Sequence, residues 1–275
     1  MPPKEAAPRM TRTAFITGGS SGIGLAIARA LTKRHPDIRL ALFARDPSRL
    51  TAAAASLGQA ALGADIRVFA VDLAEASAAE AAIDAAVQAF GPPDLLILSA
   101  GMTHPARWEN VSMATHRAVM EINYFACLAI IAQLAPGMAA GSAIGLIGSA
   151  ASLAGTYGYA AYSPSKFALQ GLAETLWIEL QPRGITVTLC LPPDTDTPML
   201  AAEQPLRPAV TSKTAAGAPV LAAETVANAL LRGIDKGRFL VLPSLPIKLL
   251  YLLGPWIGPM LRRKQVALIR SLGPD

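Results

Sequence analysis

Short apolar runs alternate along the chain with longer segments in which apolar residues recur at helical spacing. The first apolar run, Thr13–Thr17, is followed by a glycine-rich turn and by the helical pattern LAIARALTKR. This alternation is typical of βαβ units, whose parallel strands form a sheet with helices on both faces. We therefore predict a single α/β domain built on a doubly wound parallel sheet, with a C-terminal apolar extension.

The remaining elements follow from the same two periodicities. Further strands are predicted at Ile38–Ala44, Ile66–Val71, Asp94–Leu98, Ser142–Ile147 and Ile185–Leu191. Further helices are predicted at 75–90, Met113–Leu134, Ala161–Gln181 and Ala222–Lys236. Ligands of such sheets bind beside the carboxyl ends of the strands, so the residues that follow each strand are the first candidates for a site.

The C-terminal segment is apolar and basic, unlike the rest of the chain. Phe239–Leu261 is long enough to cross a bilayer at about 20 residues, but prolines interrupt it and Lys248 lies in its middle. Charge at the bilayer centre is costly, so we predict an apolar flap that lies in the membrane interface. Trp256 and the cations at 262–264 suit a headgroup boundary on the cytoplasmic side. Closure of a substrate pocket or of a dimer interface is the alternative.

Composition narrows the classes of cofactor and partner. The 275 residues include 24 Lys+Arg and 19 Asp+Glu, a net charge of +5 that suits an anionic cofactor or an anionic membrane face. No basic run is interleaved with aromatic residues, so we predict no nucleic-acid partner. Cys127 and Cys190 have neither disulfide nor metal-ligand spacing, which predicts a reducing compartment and no metal site. Residues 1–12 carry no apolar signal segment, so we expect a cytoplasmic protein.

The loop between the first strand and the first helix is the first candidate binding site. Its sequence, TGGSSGIG, supplies Gly18 for a tight turn, Gly22 for close approach of a pyrophosphate, and Gly24 for packing of helix on strand. Free N–H groups at the helix start favour phosphates. The spacing is G-x-x-x-G-x-G rather than G-x-G-x-x-G, and a loop with surplus glycines is the alternative. Because the loop joins a strand to a helix, we favour a dinucleotide site in a Rossmann-type sheet.

Two polar residues at the ends of the next strands indicate which dinucleotide is bound. Arg45 follows the second strand, about twenty residues past the glycine loop, where an acidic residue would hold the ribose 2′-hydroxyl of NAD. An arginine attracts a 2′-phosphate instead, which favours NADP or NADPH. A solvated loop arginine is the alternative. The carboxylate of Asp72 follows the third strand and is placed to meet the adenine.

A tyrosine and a lysine one helical turn apart form the candidate catalytic pair. Tyr162 and Lys166 share a helix face, so the phenol and the ammonium can point into one pocket. A neighbouring cation lowers the pKa of a phenol, which makes Tyr162 a candidate general acid for a carbonyl or alcohol centre. Ser149, at the end of the fifth strand, can orient the same oxygen. Asn123 lies on an otherwise apolar helix face, which indicates a polar function.

Together these residues resemble the short-chain dehydrogenase/reductase family over roughly residues 12–241. The resemblance implies a catalytic tetrad of Asn123, Ser149, Tyr162 and Lys166. In that family the tyrosine donates a proton to the carbonyl while hydride arrives from the nicotinamide. The lysine lowers the pKa of the phenol and binds the ribose, the serine steadies the carbonyl, and the asparagine holds a water of the proton relay.

The same resemblance implies the residues that bind NADP or NADPH. They are Gly18, Ser20, Ser21, Gly22, Ile23, Gly24, Arg45, Asp72, Leu73, Ala100, Gly101, Tyr162, Lys166, Pro192, Thr195 and Thr197. Two positions depart from the family pattern. Ser99 stands where an asparagine usually precedes Ala-Gly, which weakens a loop-steadying role, and Pro193 stands where a glycine is usual.

The second departure points to one branch of the family. The motifs PPDTDTP and AYSPSKFALQGLAETL resemble the branch that reduces 3-ketosphinganine, a long-chain amino ketone, with NADPH at a membrane face. The resemblance implies a lipid substrate, peripheral membrane association through the C-terminal segment, and a homodimer or homotetramer. Reduction of 3-oxoacyl thioesters, steroids or other hydrophobic ketones is an alternative. A non-catalytic NADP-binding sensor or membrane scaffold is another, although the intact tetrad argues against it.

These considerations divide the chain into three parts. Residues 1–11 are expected to form a flexible tail, and residues 12–242 the NADP-binding catalytic domain. The segment near 194–220 is expected to cover the substrate as a lid. Residues 243–275 form the apolar and basic C-terminal segment.

Overall fold

A seven-stranded parallel sheet forms the centre of the protein and confirms the predicted doubly wound α/β fold. The computed structural model describes residues 13–216 and 218–273, so the predicted N-terminal tail lies outside the described residues. In chain order the strands are β1 (Thr13–Thr17), β2 (Arg39–Ala44), β3 (Asp65–Ala70), β4 (Leu95–Leu98), β5 (Ala143–Ile147), β6 (Thr186–Cys190), β7 (Thr195–Asp196), β8 (Leu221–Ala222) and β9 (Leu240–Val241).

The order of the strands places a switch point beside β1. The sheet runs β3-β2-β1-β4-β5-β6-β9, while β7 and β8 pair separately. Strands of a parallel sheet are covered on both faces, which requires nearly continuous apolar sequence; Phe15, Leu96 and Ile144 are fully buried accordingly. The chain leaves β1 toward β2 on one side and continues from β4 on the other. A crevice is therefore expected at the carboxyl ends of β1 and β4.

Helices cover both faces of the sheet. In chain order they are α1 (Gly22–Arg34), α2 (Pro47–Ala60), α3 (Ala76–Phe90), α4 (Met113–Met120), α5 (Ala126–Leu134), α6 (Tyr162–Leu180), α7 (Pro198–Glu203), α8 (Ala209–Ala215), α9 (Ala223–Asp235) and α10 (Leu245–Leu272). The apolar residues of α1, α2 and α9 pack on one face, and those of α3, α5 and α6 on the other. α7 and α8 lie in the segment predicted as a lid.

The segment predicted as one helix, Met113–Leu134, is divided by a π-helical stretch. α4 and α5 are joined by Glu121–Phe125 in π-helical conformation, and Asn123 within it is fully buried. Within the described residues, Met113–Gly137 is also the helix that is long and apolar enough to cross a membrane by length and composition. Its inner side chains pack on α3 and α6 in the core of the domain, as expected for a core helix.

The C-terminal part differs most from the prediction. β9, which was not predicted, adds a seventh strand to the main sheet by pairing with β6. α10 then continues unbroken from Leu245 to Leu272, although Pro255 and Pro259 lie inside it and were expected to interrupt the segment. Each proline removes one backbone hydrogen bond. Because the two prolines are four residues apart and exposed, they share one outer face and leave the packed face continuous.

Candidate active site

One large cavity lies at the carboxyl ends of the central strands and brings nearly all the predicted site residues together. It encloses about 1030 Å³ and extends from the glycine loop to the inner face of α10. The predicted residues that line it are Gly18, Ser20, Ser21, Gly22, Ile23, Arg45, Asp72, Leu73, Ala100, Gly101, Ser149, Tyr162, Lys166, Pro192, Thr195 and Thr197. Gly24 and Asn123 do not line the cavity and lie behind its wall.

The glycine loop has the geometry of a phosphate cradle. Gly18 and Gly22 have φ of 67° and 52°, a left-handed conformation that side chains disfavour. A Cβ at Gly18 would lie 3.0 Å from the backbone nitrogen of Ala100, and one at Gly24 would clash with the carbonyl of Gly18. The N-cap of α1, Ser21, makes no side-chain cap hydrogen bond, and the first turn holds no acidic residue. The backbone N–H groups at the start of α1 are therefore available to a pyrophosphate, so the loop fits a dinucleotide.

The loop after β4 is steadied by a threonine of β1. The hydroxyl of Thr17 accepts hydrogen bonds from the backbone nitrogens of Ser99 and Ala100, both at 3.0 Å. The sequence predicted weaker support for this loop because Ser99 replaces an asparagine. Thr17, which is buried, supplies that support from the neighbouring strand.

Two arginines line the far end of the cavity. Arg45, exposed at the end of β2, was predicted; Arg49, one turn into α2, was not. Asp46 caps α2 by accepting hydrogen bonds from the backbone nitrogens of Ser48 and Arg49, and its other oxygen lies 3.4 Å from Nε of Arg49. Both arginines therefore flank a helix N-terminus, an arrangement that favours an anion. Arg49 follows Arg45 by four residues, and this spacing of two cations could have been recognised in the sequence as a second anion contact.

The predicted adenine contact also lies at this end of the cavity. Asp72 follows β3 and is exposed, and one oxygen of its carboxylate accepts a hydrogen bond of 3.1 Å from the backbone nitrogen of Ala74. This bond fixes the turn after β3. Asp72 and the neighbouring Leu73 both line the cavity here.

Tyr162 and Lys166 meet at the middle of the cavity, where α6 begins. Lys166 is 5% exposed, and its ammonium donates a hydrogen bond of 3.1 Å to the carbonyl of Ile147. Its nitrogen lies 5.7 Å from the centre of the Tyr162 ring. Burial lowers the pKa of Lys166 to about 8. The two side chains thus lie together as the spacing of the sequence required.

The pKa of Tyr162 is shifted in the direction opposite to the expectation. Burial raises the pKa of its phenol to about 12, and the hydrogen bond with the Ser149 hydroxyl acts in the opposite direction. The expected lowering by Lys166 is not among the causes of this shift, and the cost of burying a phenolate is the largest of them. The phenol therefore carries its proton at neutral pH, which is the form that a general acid requires.

Asn123 holds the wall of the site together. Its amide oxygen accepts a hydrogen bond from the backbone nitrogen of Met102, and its amide nitrogen donates to the carbonyl of Met102 and to the hydroxyl of Ser165, all at 2.9 Å. Ser165 in turn donates to the carbonyl of Tyr162 at 2.7 Å. Both amide protons are committed to protein partners. Asn123 therefore ties the loop after β4 to the first turn of α6.

A buried polar cluster that the sequence did not predict lines the other end of the cavity. Arg207 donates two hydrogen bonds to Asp194, of 2.6 and 2.8 Å, and a third of 2.7 Å to Glu203. The hydroxyl of Tyr159 donates to the same oxygen of Glu203. Burial and the carboxylate of Glu203 raise the pKa of Tyr159 well above its ordinary value, so it remains a donor. Glu203 and Arg207 are four residues apart, a spacing that favours an ion pair. The contacts with Asp194 and Tyr159 join other parts of the chain, and sequence spacing gives no signal for them.

Apolar residues of α10 complete this end of the cavity. Ile247, Leu250, Ile257 and Leu261 line it from above. The helix is fastened by Gln265, whose side chain accepts a hydrogen bond of 2.8 Å from the backbone nitrogen of Tyr157 and donates one of 3.1 Å to the carbonyl of Gly155. The cavity is thus polar at the glycine loop and apolar under α10.

Comparisons with known proteins agree with this arrangement. A family model described as short chain dehydrogenase matches residues 12–207. The chain is 38% identical to a 3-dehydrosphinganine reductase of Arabidopsis thaliana, over 84% of this chain and 69% of the relative. It is 36% identical to a 3-dehydrosphinganine reductase of Danio rerio, over 82% of this chain and 68% of the relative.

A solved structure extends the likeness to the fold. A short-chain dehydrogenase from Sphingobium yanoikuyae in complex with NADPH is 27% identical to this chain, with a TM-score of 0.75 over 90% of this chain and 94% of that one. The family model and the identity over most of the chain carry the same conclusion. The chain belongs to the short-chain dehydrogenase/reductase family of oxidoreductases.

Proposed function

We propose that this protein reduces 3-ketosphinganine to sphinganine with NADPH. The observation that carries the proposal is the cavity itself, which joins a dinucleotide cradle, a Tyr162–Ser149–Lys166 centre and an apolar chamber. The similarity to 3-dehydrosphinganine reductases supports this choice of substrate. The NADPH-bound relative supports the choice of cofactor.

The residues of the chain divide the work of carbonyl reduction. When bound, NADPH supplies a hydride to the carbonyl carbon. Tyr162 supplies the proton to the carbonyl oxygen, and Ser149 orients that oxygen by hydrogen bonding. The ammonium of Lys166 stabilises the negative charge that the phenol acquires as it gives up its proton. Asn123 acts as a positioning residue through Ser165 and the first turn of α6.

The shape and lining of the cavity suit a long aliphatic chain. Beyond Tyr162, the chamber is walled by α10 on one side and by Met199 and Leu200 of α7 on the other. Burial of apolar surface contributes about 0.8 kcal/mol per CH₂ group. A chain of many methylene groups is therefore held mainly by these walls, and the polar end of the substrate is left at Tyr162.

Replacing Tyr162 with phenylalanine tests the proton donor. Tyr162→Phe removes only the transferable proton, so turnover of 3-ketosphinganine should fall by roughly 10²–10⁴-fold while NADPH binding is retained. Steady-state kinetics and cofactor fluorescence measure the two effects. Tyr157→Phe is the matched control, because Tyr157 does not line the cavity and should keep its activity. Near-normal turnover in Tyr162→Phe would remove this residue from the mechanism.

The two arginines at the end of β2 and the start of α2 support a preference for NADPH. Arg45 and Arg49 line the cavity beyond the glycine loop, where a 2′-phosphate would receive charge-assisted hydrogen bonds. Within the part of the chain that the structure describes, neither side chain has a carboxylate partner that would neutralise it fully. Arg45 has no ion-pair partner among the described residues, and Arg49 shares Asp46 with the helix N-terminus.

Charge reversal at Arg45 tests the cofactor preference. Arg45→Asp should weaken NADPH binding by roughly ten- to a hundredfold, the value of a charge-assisted contact, and should favour NADH in relative terms. Fluorescence titration with both cofactors gives the ratio. Arg39→Asp, an exposed change at the opposite end of β2, is the control. An unchanged preference in Arg45→Asp means that this arginine is only a solvated loop residue.

The outer face of α10 supports peripheral membrane association. Its large apolar side chains are exposed, among them Trp256 at 83%, Leu252 at 67% and Met260 at 61%. The helix carries basic residues and no acidic one. Arg262, Arg263 and Arg270 line a shallow depression on its outer surface and form no ion pair with described residues. The apolar face and the cations match a layer of anionic headgroups.

Liposome binding tests this association. Replacing Arg262, Arg263 and Arg270 with glutamine should weaken cosedimentation with anionic vesicles by roughly a hundredfold, at about 1 kcal/mol per cation near the surface. The same loss should be smaller at high salt. The control replaces three exposed cations outside α10, Arg29, Lys33 and Lys236, with glutamine, which removes the same amount of charge. If the parent protein stays in the supernatant with anionic vesicles at low salt, the membrane proposal is wrong.

The cytoplasmic location and the homodimer or homotetramer stay predictions from the sequence. They follow from the family resemblance and from the composition. Sedimentation of the purified protein gives the oligomeric state directly.

A further inference from the structure

The cluster of Asp194, Glu203 and Arg207 carries more negative than positive charge into the cavity. It contains two carboxylates and one guanidinium, and all three residues line the cavity wall. The side chains of Glu203 and Arg207 are each 7% exposed. A buried charge is costly unless it is paired. The single guanidinium does not neutralise both carboxylates, so the cluster favours a further cation.

The hydrogen bonds of the cluster leave one oxygen free. Arg207 engages both oxygens of Asp194, while Oε1 of Glu203 accepts from both Arg207 and Tyr159. Oε2 of Glu203 has no hydrogen-bond partner among the residues described. A carboxylate oxygen in this setting is a ready acceptor for a charged donor.

The cluster lies close to the reacting centre. Tyr159, which donates to Glu203, has its ring centre 5.6 Å from that of Tyr162. The carboxylates of Glu203 and Asp194 act to raise the pKa of the Tyr162 phenol, so their field reaches the proton donor. The cation that opposes them at this phenol is Arg207, whose guanidinium is already engaged by Asp194 and Glu203. Lys166 directs its ammonium to the carbonyl of Ile147. A positive group beside the substrate carbonyl would therefore meet a negative field.

An amino ketone has its positive group at this position. In 3-ketosphinganine the ammonium is on the carbon next to the carbonyl, so it lies within a few ångströms of the oxygen that Tyr162 protonates. We infer that Glu203, supported by Asp194, binds this ammonium and selects amino ketones over neutral ketones of the same length. The inference rests on the proposed function, because it assigns a specificity residue to that same site.

The same contacts have a second consequence for the lid. Asp194 begins the segment predicted as the lid, Glu203 ends α7 and Arg207 precedes α8, so the cluster also holds the parts of that segment together. If the cluster has only a structural role, a substitution in it should lower kcat/KM for all substrates by the same factor. Selection by charge would change the ratio between a cationic and a neutral substrate.

The test compares two ketones that differ only in the amino group. The probes are 3-ketosphinganine and 1-hydroxyoctadecan-3-one, assayed with NADPH. The wild-type protein should prefer the amino ketone in kcat/KM by roughly ten- to a hundredfold. Glu203→Gln keeps the shape and an acceptor but loses the charge. It should remove most of this preference, chiefly through KM for the amino ketone, and leave the neutral ketone within about threefold.

The ratio of the two kcat/KM values is independent of the fraction of folded enzyme, so partial loss of stability does not obscure the result. Arg207→Gln is the opposite change, since it removes the cation and keeps both carboxylates; it should maintain or increase the preference. An equal loss on both ketones in Glu203→Gln would show a structural fastening only. If Glu203→Gln does not fold, the wild-type ratio decides alone, and a ratio near one overturns the inference.

Failure of the proposed function gives a different result. Wild-type protein that reduces the neutral ketone but not the amino ketone, or that reduces neither, would contradict 3-ketosphinganine as the substrate. Wild-type protein that reduces both equally well would leave the proposed function in place and would contradict only the role of Glu203.

Discussion

The buried ammonium of Lys166 is the interaction on which the geometry of the site depends. A lysine at 5% exposure is costly unless its charge is satisfied, and the carbonyl of Ile147 at the end of β5 provides a partner at 3.1 Å. That bond fixes the first turn of α6 against the sheet. Tyr162, one turn earlier, is thereby held beside Ser149, which lies two residues past the same end of β5. Asn123 secures the turn from behind through Ser165. The arrangement of Ser149, Tyr162 and Lys166 thus follows from where β5 ends and α6 begins.

The elements and residues that depend on local sequence could be predicted, and those that depend on tertiary pairing could not. The glycine loop and the Tyr162–Lys166 pair are short-range patterns, and the structure brings them to one cavity. The π-helical turn at Asn123 has no periodic signal, because one extra residue in a turn does not alter the apolar pattern enough. The Glu203–Arg207–Asp194 cluster joins three elements. α10 remains helical through Pro255 and Pro259, both on its exposed face, although each removes one backbone hydrogen bond.

The chemical character of the cavity wall changes from one end to the other in a way that suits NADPH and a long-chain amino ketone. Cations flank the far end beyond the glycine loop, where a dinucleotide phosphate would lie. Carboxylates stand near Tyr162, and apolar side chains of α10 close the remaining space. The outer face of α10 repeats this pairing of apolar surface and positive charge toward solvent. One helix therefore contributes both to the chamber that would hold a lipid chain and to the surface from which such a lipid would enter.

Reduction of 3-ketosphinganine in this cavity can be measured by a stoichiometric assay of the wild-type protein. Purified protein is incubated with 3-ketosphinganine and NADPH in mixed micelles. NADPH consumption is followed by absorbance, and sphinganine is quantified by mass spectrometry. If the protein is a 3-ketosphinganine reductase, one sphinganine should form for each NADPH consumed. Binding of NADPH without formation of sphinganine would contradict it.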